Sequence, residues 1–175
     1  MKKILFILSI LIASNTSLFA QKFAYVDTDY ILEQLPEYQE AQQKLNELSA
    51  KWQKEIEEMF AEVEKLKQAY KLERILLTEE MQANREAGIL EKEKQAIELQ
   101  KERFGINGQL FRKRQELIKP IQDKVYSAIK SVANKYGYSI IFDKSNSISM
   151  LYASKKLDKS ELVLKQLGYG KTKKK

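Results

Sequence analysis

The chain contains no cysteine and no histidine among its 175 residues. Without histidine it lacks the commonest general base and the commonest metal ligand, and without cysteine it lacks a thiol nucleophile. Disulfides are excluded, so stability has to come from burial or association. No glycine-rich phosphate-binding loop is present, because Gly105-Ile106-Asn107-Gly108 is too sparse and lies between helical stretches. These absences argue against an enzyme and against a bound cofactor.

Charge does not mark the chain as a nucleic-acid-binding protein. The formal net charge is +7 at pH 7. Two lysines lie at the start and four in the last five residues, which leaves 25 Lys and Arg against 24 Asp and Glu in residues 21–170. A basic domain face is the usual electrostatic mark of nucleic-acid binding. The nearly neutral folded part argues against that function.

The acidic residues suggest no catalytic pair. They stand at helix-surface spacing among lysines, which is typical of solvated faces and ion pairs. Asp27 and Asp29 come closest to a paired site. We expect them to cap a helix or form a turn, with a metal site as the alternative.

The first 20 residues have the layout of a secretory signal peptide. Lys2 and Lys3 give a positive start, residues 4–12 are apolar apart from Ser9, and small and polar residues lead to Ala20. We therefore expect an exported protein with residues 1–20 removed. An uncleaved N-terminal anchor is the alternative. Because no cysteine follows the apolar stretch, a lipoprotein-type lipid anchor is excluded.

Only two prolines occur, Pro36 and Pro120, and the 83 residues between them carry a helical repeat. Apolar residues recur in steps of 3 and 4 with a mean of 3.56, which predicts a coiled-coil seam. Pro36 suits the first position of that helix. The seam positions are Tyr38, Ala41, Leu45, Leu48, Trp52, Ile56, Met59, Val63, Leu66 and Tyr70.

This helical stretch is expected to fold back on itself. Thr78 suits a helix N-cap with Glu79 and Glu80 in the first turn, and it separates arms of 42 and 41 residues. A single unbroken helix is the alternative. The returning arm is less regular, with Met81, Leu90, Ile97, Phe104 and Phe111 as its apolar face. Its residues 103–108 indicate a kink or short insertion.

The flanking segments predict a small β-containing body. We expect a strand at 22–27, a helical turn at 28–32 capped by Thr28-Asp29, and a separate helix at 118–136 ended by Gly137. A strand at 138–143, a turn at 144–147 and a hairpin partner strand at 148–153 follow. A capping box at 158–161 opens a last short helix ended by Gly168. Three strands leave open edges, which symmetric association can close into a barrel.

The predicted fold class is therefore α+β and predominantly α. A long antiparallel coiled-coil hairpin (residues 36–118) projects from a body domain (residues 21–35 and 119–168), and a basic tail (residues 169–175) is expected to be disordered.

The order of these segments resembles a known family. A signal peptide followed by FAYVDTDYIL, LPEYQEAQQKL, a long charged hairpin, RQELIKPIQDKVYSAI, YSIIFD and ISMLYA is similar to the Skp/OmpH family of periplasmic chaperones. The resemblance spans essentially the whole chain after the signal peptide. It implies a homotrimer in which a β-barrel body carries three helical arms. It also implies ATP-independent holding of unfolded outer-membrane proteins between those arms.

Better-known members of that family have basic arms, whereas residues 64–93 here contain six Lys and Arg against seven Glu. We therefore expect clients to be held by enclosure and weak apolar contact more than by charge. The alternative function is an envelope scaffold whose arm binds one folded partner. Arg112-Lys113-Arg114 is a candidate for peripheral contact with an anionic lipid head group, with a solvated helix turn as the alternative.

Two sets of residues are candidates for these contacts. The client-contact candidates on the arm are Phe60, Tyr70, Leu76, Leu77, Met81, Leu90 and Phe104. The trimer-body candidates are Phe23, Tyr25, Ile140, Phe142, Ile148, Met150 and Tyr152.

Overall fold

The computed structural model describes residues 22–145 and 150–170. The expected signal peptide and most of the basic tail lie outside these residues. The elements in chain order are β1 (Lys22–Val26), α1 (Thr28–Glu33), α2 (Pro36–Glu73), a 3₁₀ turn (Arg74–Leu76), α3 (Glu79–Phe104), α4 (Gln109–Tyr136), β2 (Tyr138–Asp143), a second 3₁₀ turn (Lys155–Leu157) and α5 (Ser160–Gln166). The predicted α+β, mainly helical class is confirmed.

The chain divides into two compact units. One comprises Leu32–Tyr126, and we call it the hairpin unit. The other comprises the residues up to Ile31 together with those from Ser127 onward, and we call it the strand unit.

Helix α2 is the most regular element of the hairpin unit. Pro36 is its first residue, where the missing N–H would be unpaired in any case. Its 38 residues span about 57 Å at 1.5 Å per residue. None of the ten seam positions is exposed, so the predicted seam is confirmed. The buried ones are Ala41, Leu45, Trp52, Ile56 and Val63.

The long helices form a hairpin, and the alternative of one unbroken helix is wrong. After the 3₁₀ turn, Thr78 Oγ1 accepts a hydrogen bond from the backbone N–H of Met81 at 3.3 Å, which confirms the predicted N-cap. Gln82, which the sequence did not single out, closes the turn. Its side-chain amide donates to the carbonyl oxygens of Arg74 at 3.0 Å and Leu77 at 3.1 Å.

Helix α3 buries a different face from the one predicted. Leu90 and Ile97 are exposed, and the residues that precede them, Ile89 and Ala96, are buried instead. Met81 and Phe111 are exposed as well. The prediction was wrong by one residue because α3 has few apolar residues, so hydrophobic periodicity could not choose between adjacent faces. Ion pairs between α2 and α3 also favour the observed face of α3. They are Lys67–Glu93 at 2.8 Å, Lys92–Glu62 at 3.1 Å and Arg85–Glu73 at 3.4 Å.

Helix α4 is one continuous helix where the sequence predicted a separate helix from Ile118 onward. It begins at Gln109 and runs through Pro120. Pro120 removes one backbone donor, but it is exposed, and the buried residues Ile118, Ile121 and Val125 keep the apolar face continuous on both sides of it. The predicted interruption near Phe104 is real, and it lies between α3 and α4.

The strand unit contains two described strands, which pair in parallel. Phe23 lies opposite Ile140, and Tyr25 lies opposite Phe142. Parallel strands need a long crossover, and here the crossover runs from α1 to the end of α4. Gly137 ends α4 with a φ of 70°, as predicted, and β2 begins at the next residue.

The predicted third strand is not found. Residues 146–149 lie outside the described part of the chain, and Met150–Ala153 adopt no strand. On the other side of the strand pair, Tyr25 of β1 forms an isolated parallel bridge with Asp158 and accepts a hydrogen bond from Lys159 N at 2.9 Å. The predicted strand was a hairpin partner of β2, so this bridge to β1 does not take its place.

The caps at the ends of the strand unit's short helices differ from those predicted. Asp27 Oδ1 caps α1 by accepting a hydrogen bond from Tyr30 N at 3.0 Å, which confirms the capping role expected of Asp27, whereas the predicted Thr28-Asp29 cap is wrong. Asp158 accepts from Ser160 N at 2.9 Å and Ser160 Oγ at 2.7 Å, so it forms a turn before α5 and no capping box. Gly168 follows α5 with a φ of 92°, as predicted.

Candidate functional site

The described residues contain no cluster of three or more Asp, Glu, His or Cys side chains placed to hold a metal ion. Asp27 caps α1 and Asp29 is exposed, so the carboxylate pair noted in the sequence is divided between different roles. None of the helices in residues 22–145 and 150–170 combines the length and apolarity needed to cross a membrane. The features that remain as functional candidates are exposed apolar surfaces.

The first such surface lies at the turn of the hairpin. Leu72, Ile75 and Leu76 are 79%, 90% and 82% exposed, and Met81 is about half exposed. The tight 3₁₀ turn closes the hairpin at this point, so no opposing helix covers these side chains. We call these four residues the tip surface. Adjacent apolar residues exposed in this way are typical of interaction sites.

The second surface runs along α3. Leu90 and Ile97 are separated by seven residues, so they share one helix face, and both are exposed. Leu90 borders an open groove of about 550 Å³ whose lining includes Lys67, Tyr70, Ala83 and Ala87. Because the α3 seam uses Ile89 and Ala96, the neighbouring apolar side chains are left outside it. We call Leu90 and Ile97 the flank surface.

The other arm candidates are engaged within the hairpin unit. Phe60, Tyr70, Leu77 and Phe104 are half-buried. The Tyr70 hydroxyl donates to Glu86 Oε1 at 2.5 Å, and this hydrogen bond raises the pKa of Tyr70 above its ordinary value. The hairpin thus leaves Leu76, Met81 and Leu90 exposed. The four half-buried candidates contribute at least in part to its own packing.

The interruption between α3 and α4 is surrounded by a cluster of large side chains. The rings of Trp52 and Phe104 meet edge to face, with centroids 6.3 Å apart. The guanidinium of Arg103 lies over the Trp52 ring, 4.8 Å from its centroid, and 3.7 Å from Glu55 Oε2. The sequence marked Trp52 as a seam residue but gave no signal for Arg103, because a charged residue on a helix ordinarily indicates a solvated face.

One atom of this cluster is unsatisfied. Among the described residues, Nε of Arg103 is the one buried side-chain nitrogen or oxygen that lacks a hydrogen-bond partner. Leaving a buried polar group without a partner costs roughly 1–3 kcal/mol. The cation–π contact and the ion pair with Glu55 offset that cost.

The third apolar surface lies in the strand unit. A groove of about 770 Å³ is lined by Phe23, Tyr25, Phe142, Met150 and Tyr152. Tyr25 is buried and Met150 half-buried, whereas Tyr152 and the neighbouring Leu151 are 88% and 97% exposed. Ile140 is exposed on β2, and Ile148 lies outside the described residues. The groove exists because one face of the two-stranded sheet has no described element packed over it. We call it the strand-unit groove.

A polar network ties the ends of the two strands together. Asp143 accepts hydrogen bonds from Thr28 N at 3.2 Å, Thr28 Oγ1 at 2.7 Å and Ser145 N at 3.1 Å. Burial acts to raise the pKa of Asp143, but the hydrogen bonds from Thr28 and Ser145 outweigh it and hold the pKa below its usual value. The network fixes the geometry of β2 beside the groove.

The fold and its surfaces define a class of protein. It has a small α/β unit with a pair of parallel strands, and a long antiparallel helical hairpin lies between these strands in the sequence. Its candidate sites are apolar surfaces. The family model described as outer membrane protein (OmpH-like) matches residues 22–167. This chain belongs to the OmpH-like family.

The chain also resembles another protein in sequence and a solved structure in fold. It is 34% identical over 149 residues to an uncharacterized protein of Aquifex aeolicus (strain VF5), with 85% of this chain and 87% of that protein covered. Its fold is similar to a crystal structure described as that of a "putative outer membrane chaperone (OmpH-like)" from Caulobacter crescentus CB15, with a TM-score of 0.67 and coverage of 89% of this chain and 90% of that one. At 10% identity, the second comparison shows a shared fold. The resemblance seen in the sequence is confirmed at the level of the family.

Proposed function

We propose that this protein is an ATP-independent holding chaperone of the periplasm, which binds unfolded outer-membrane proteins and prevents their aggregation. The observation that carries the proposal is the tip surface, where apolar side chains are exposed on an otherwise highly charged hairpin. Family membership supports the same role, and the structurally similar Caulobacter protein carries the description "putative outer membrane chaperone (OmpH-like)".

The surfaces suit weak and interchangeable contacts. The tip surface and the flank surface each offer a few flexible aliphatic or thioether side chains and no deep pocket, so they can contact many apolar sequences. The surrounding Lys and Glu side chains keep the hairpin soluble around an apolar client. Because residues 64–93 contain six cations and seven anions, attraction of charged clients contributes little.

The proposal includes a homotrimer assembled through the strand unit. The strand-unit groove exposes Phe23, Phe142, Leu151 and Tyr152 in a single chain, and their burial between copies would remove a large apolar surface from water. Three hairpins held by such a body would surround a shared space for a client. Export to the periplasm through the predicted signal peptide belongs to the same proposal.

The test is an aggregation assay without nucleotide. A β-barrel membrane protein unfolded in urea is diluted into buffer with and without the purified mature chain, and light scattering is followed. We expect scattering to fall as the chain approaches the concentration of its client. Unchanged aggregation at a molar excess of the chain would contradict the proposal, and so would a pull-down that yields one folded partner and no unfolded client.

A further inference from the structure

Methionine supplies all the sulfur in this chain, which has four methionines and no cysteine. Where no thiol is present, the thioether of methionine is the sulfur that a peroxide-type oxidant can convert, and the product is methionine sulfoxide. Met1 lies in the predicted signal peptide. The mature chain would therefore carry three residues open to this reaction, namely Met59, Met81 and Met150.

The three methionines differ in their access to solvent. Met59 is a seam residue of α2 and Met150 lines the strand-unit groove, and both are half-buried. Met81 is 52% exposed in the first turn of α3, beside the turn that closes the hairpin. Because an oxidant must reach the sulfur atom, the rate of oxidation follows exposure. We therefore expect Met81 to react first.

Met81 is also one of the four residues of the tip surface. The other three, Leu72, Ile75 and Leu76, are aliphatic and are 79%, 90% and 82% exposed. Hydrocarbon side chains resist mild oxidants, whereas the thioether that packs like them becomes a polar sulfoxide. Met81 is thus the residue through which oxidation can make the tip surface more polar.

The hairpin turn is held by groups other than the Met81 thioether. The backbone N–H of Met81 donates to Thr78 Oγ1 at 3.3 Å. The Gln82 side chain donates to the carbonyl oxygens of Arg74 and Leu77. A helical side chain leans toward the N-terminal end of its helix, where the helix dipole favours the partial negative charge of a sulfoxide oxygen. Oxidation should therefore change the surface and leave the turn folded.

We propose that Met81 is an oxidation site that switches the tip surface from an apolar to a polar state. Hydrogen peroxide transfers one oxygen atom to the thioether: an S–O bond forms, the O–O bond breaks, the sulfur loses two electrons and the peroxide leaves as water. A methionine sulfoxide reductase supplies two electrons and two protons, removes the oxygen as water and restores the thioether. The effect on client holding rests on the proposed chaperone function, whereas the position of the sulfoxide does not.

Peptide mapping by mass spectrometry tests the position. The purified mature chain is treated with increasing hydrogen peroxide, catalase removes the excess, and the sulfoxide at each methionine is measured. We expect Met81 to be oxidised at least roughly threefold faster than Met59 and Met150, in line with its greater exposure. The urea midpoint of unfolding should not change at the dose that oxidises Met81. Equal rates at the three methionines would overturn the assignment.

An aggregation assay tests the switch. The oxidised chain is mixed with a diluted, unfolded β-barrel membrane protein only after catalase treatment, so that the methionines of the client stay reduced. We expect several-fold more oxidised than untreated chain to be needed to suppress light scattering. Incubation with methionine sulfoxide reductase and its reductant should restore the original requirement.

Two leucine variants identify the residue responsible. Met81→Leu keeps an apolar side chain of similar size, so it should hold clients like the wild type both before and after peroxide treatment. Met59→Leu is the matched control, and peroxide should weaken its client holding as much as that of the wild type.

The possible failures are distinguishable. If peroxide weakens Met81→Leu as strongly as the wild type, a different oxidised group is responsible and the switch is refuted. If Met81 sulfoxide forms and client holding does not change, the tip surface is not switched by oxidation. If the untreated wild-type chain does not suppress aggregation, the proposed chaperone function fails, even where mass spectrometry places the sulfoxide at Met81.

Discussion

The guanidinium of Arg103 lies 4.8 Å from the centroid of the Trp52 ring, and this contact joins α3 to α2 one residue before α3 ends. The contact places a cation where the helix seam would ordinarily bury an apolar side chain. It marks the point at which the regular pairing of α2 with α3 gives way to the interruption between α3 and α4.

The glycines of α3 and of the interruption between α3 and α4 should respond in opposite directions to replacement by alanine. Gly105→Ala would create an overlap with the Lys101 carbonyl, and we expect it to lower the free energy of unfolding by roughly 1–3 kcal/mol. Gly88 lies at an exposed helical site, and no atom lies within 4 Å of a Cβ added there. Gly88→Ala should therefore raise the free energy of unfolding by about 0.5–1 kcal/mol. Urea denaturation followed by fluorescence of the single tryptophan measures both.

Gly88→Ala serves as the control for Gly105→Ala, since the chemical change is the same. Both are compared at one fixed chain concentration, because association would otherwise shift the apparent stability. Equal stabilities for the two variants would contradict a steric requirement for glycine at position 105.

Replacing exposed apolar residues of the hairpin should weaken client holding without unfolding the protein. The triple variant Leu76→Ser, Met81→Ser and Leu90→Ser changes side chains that are at least half exposed. We expect several-fold more of this variant to be needed to suppress client aggregation, while its unfolding free energy stays within about 0.5 kcal/mol of the wild type. The measurement is light scattering of the diluted client.

The matched control for that variant replaces Glu80, Asn84 and Glu91, which are exposed polar residues of α3, the helix that carries Met81 and Leu90, with serine. It should hold clients as well as the wild type. If the two triple variants behave alike, apolar contact at these positions does not carry the binding.

A charge in the strand-unit groove should dissociate the proposed trimer. Phe142 is exposed in the single chain and lines the groove. Phe142→Asp would place a carboxylate in the proposed interface, where it would be desolvated without a partner. We expect the mass measured by light scattering to fall from three chains to one. Tyr126→Asp, which alters an exposed aromatic residue of the hairpin unit, should leave the mass unchanged.

A monomeric wild-type protein would remove the basis of the trimer. An unchanged mass for Phe142→Asp would show that copies associate through a different surface.

The stabilising effect of Asp143 should disappear in acid. Its folded-state pKa is lowered because hydrogen bonds from Thr28 and Ser145 outweigh burial. A lowered folded-state pKa stabilises the protein at pH values above the unfolded-state pKa of about 3.9. This stabilisation is lost as the pH falls through the lower folded-state pKa. We therefore expect Asp143→Asn to be less stable than the wild type at pH 7, with a difference that narrows below about pH 4. Denaturation curves from pH 7 to pH 3 measure it.

Asp29→Asn is the control for Asp143→Asn, because Asp29 is exposed and lies two residues beyond the α1 cap. A constant difference between Asp143→Asn and the wild type across this pH range would contradict a role for the ionised carboxylate.

Several features of the fold could be predicted residue by residue. The seam of α2 was predictable because its apolar residues are dense enough to define one face of a helix. Thr78, Gly137 and Gly168 could be placed because capping depends on local backbone chemistry. The buried face of α3 could not be predicted in this way, since Ile89 and Leu90 are equally apolar. Which of the two is buried depends on the residues of α2 across the seam. Among the candidate contact residues, Leu76, Met81 and Leu90 are exposed, whereas Phe104 packs against Trp52.

The sequence by itself determined the helical hairpin, its turn and the family, because these follow from periodicity, local capping and a pattern of segments along the chain. Tertiary structure alone decided that β1 pairs in parallel with β2, that α4 continues through Pro120, and that Arg103 stacks on Trp52 near the end of α3. Strand pairing, tolerance of a proline and burial of a cation all depend on contacts between residues far apart in the chain. Local residue pattern carries no direct record of such contacts.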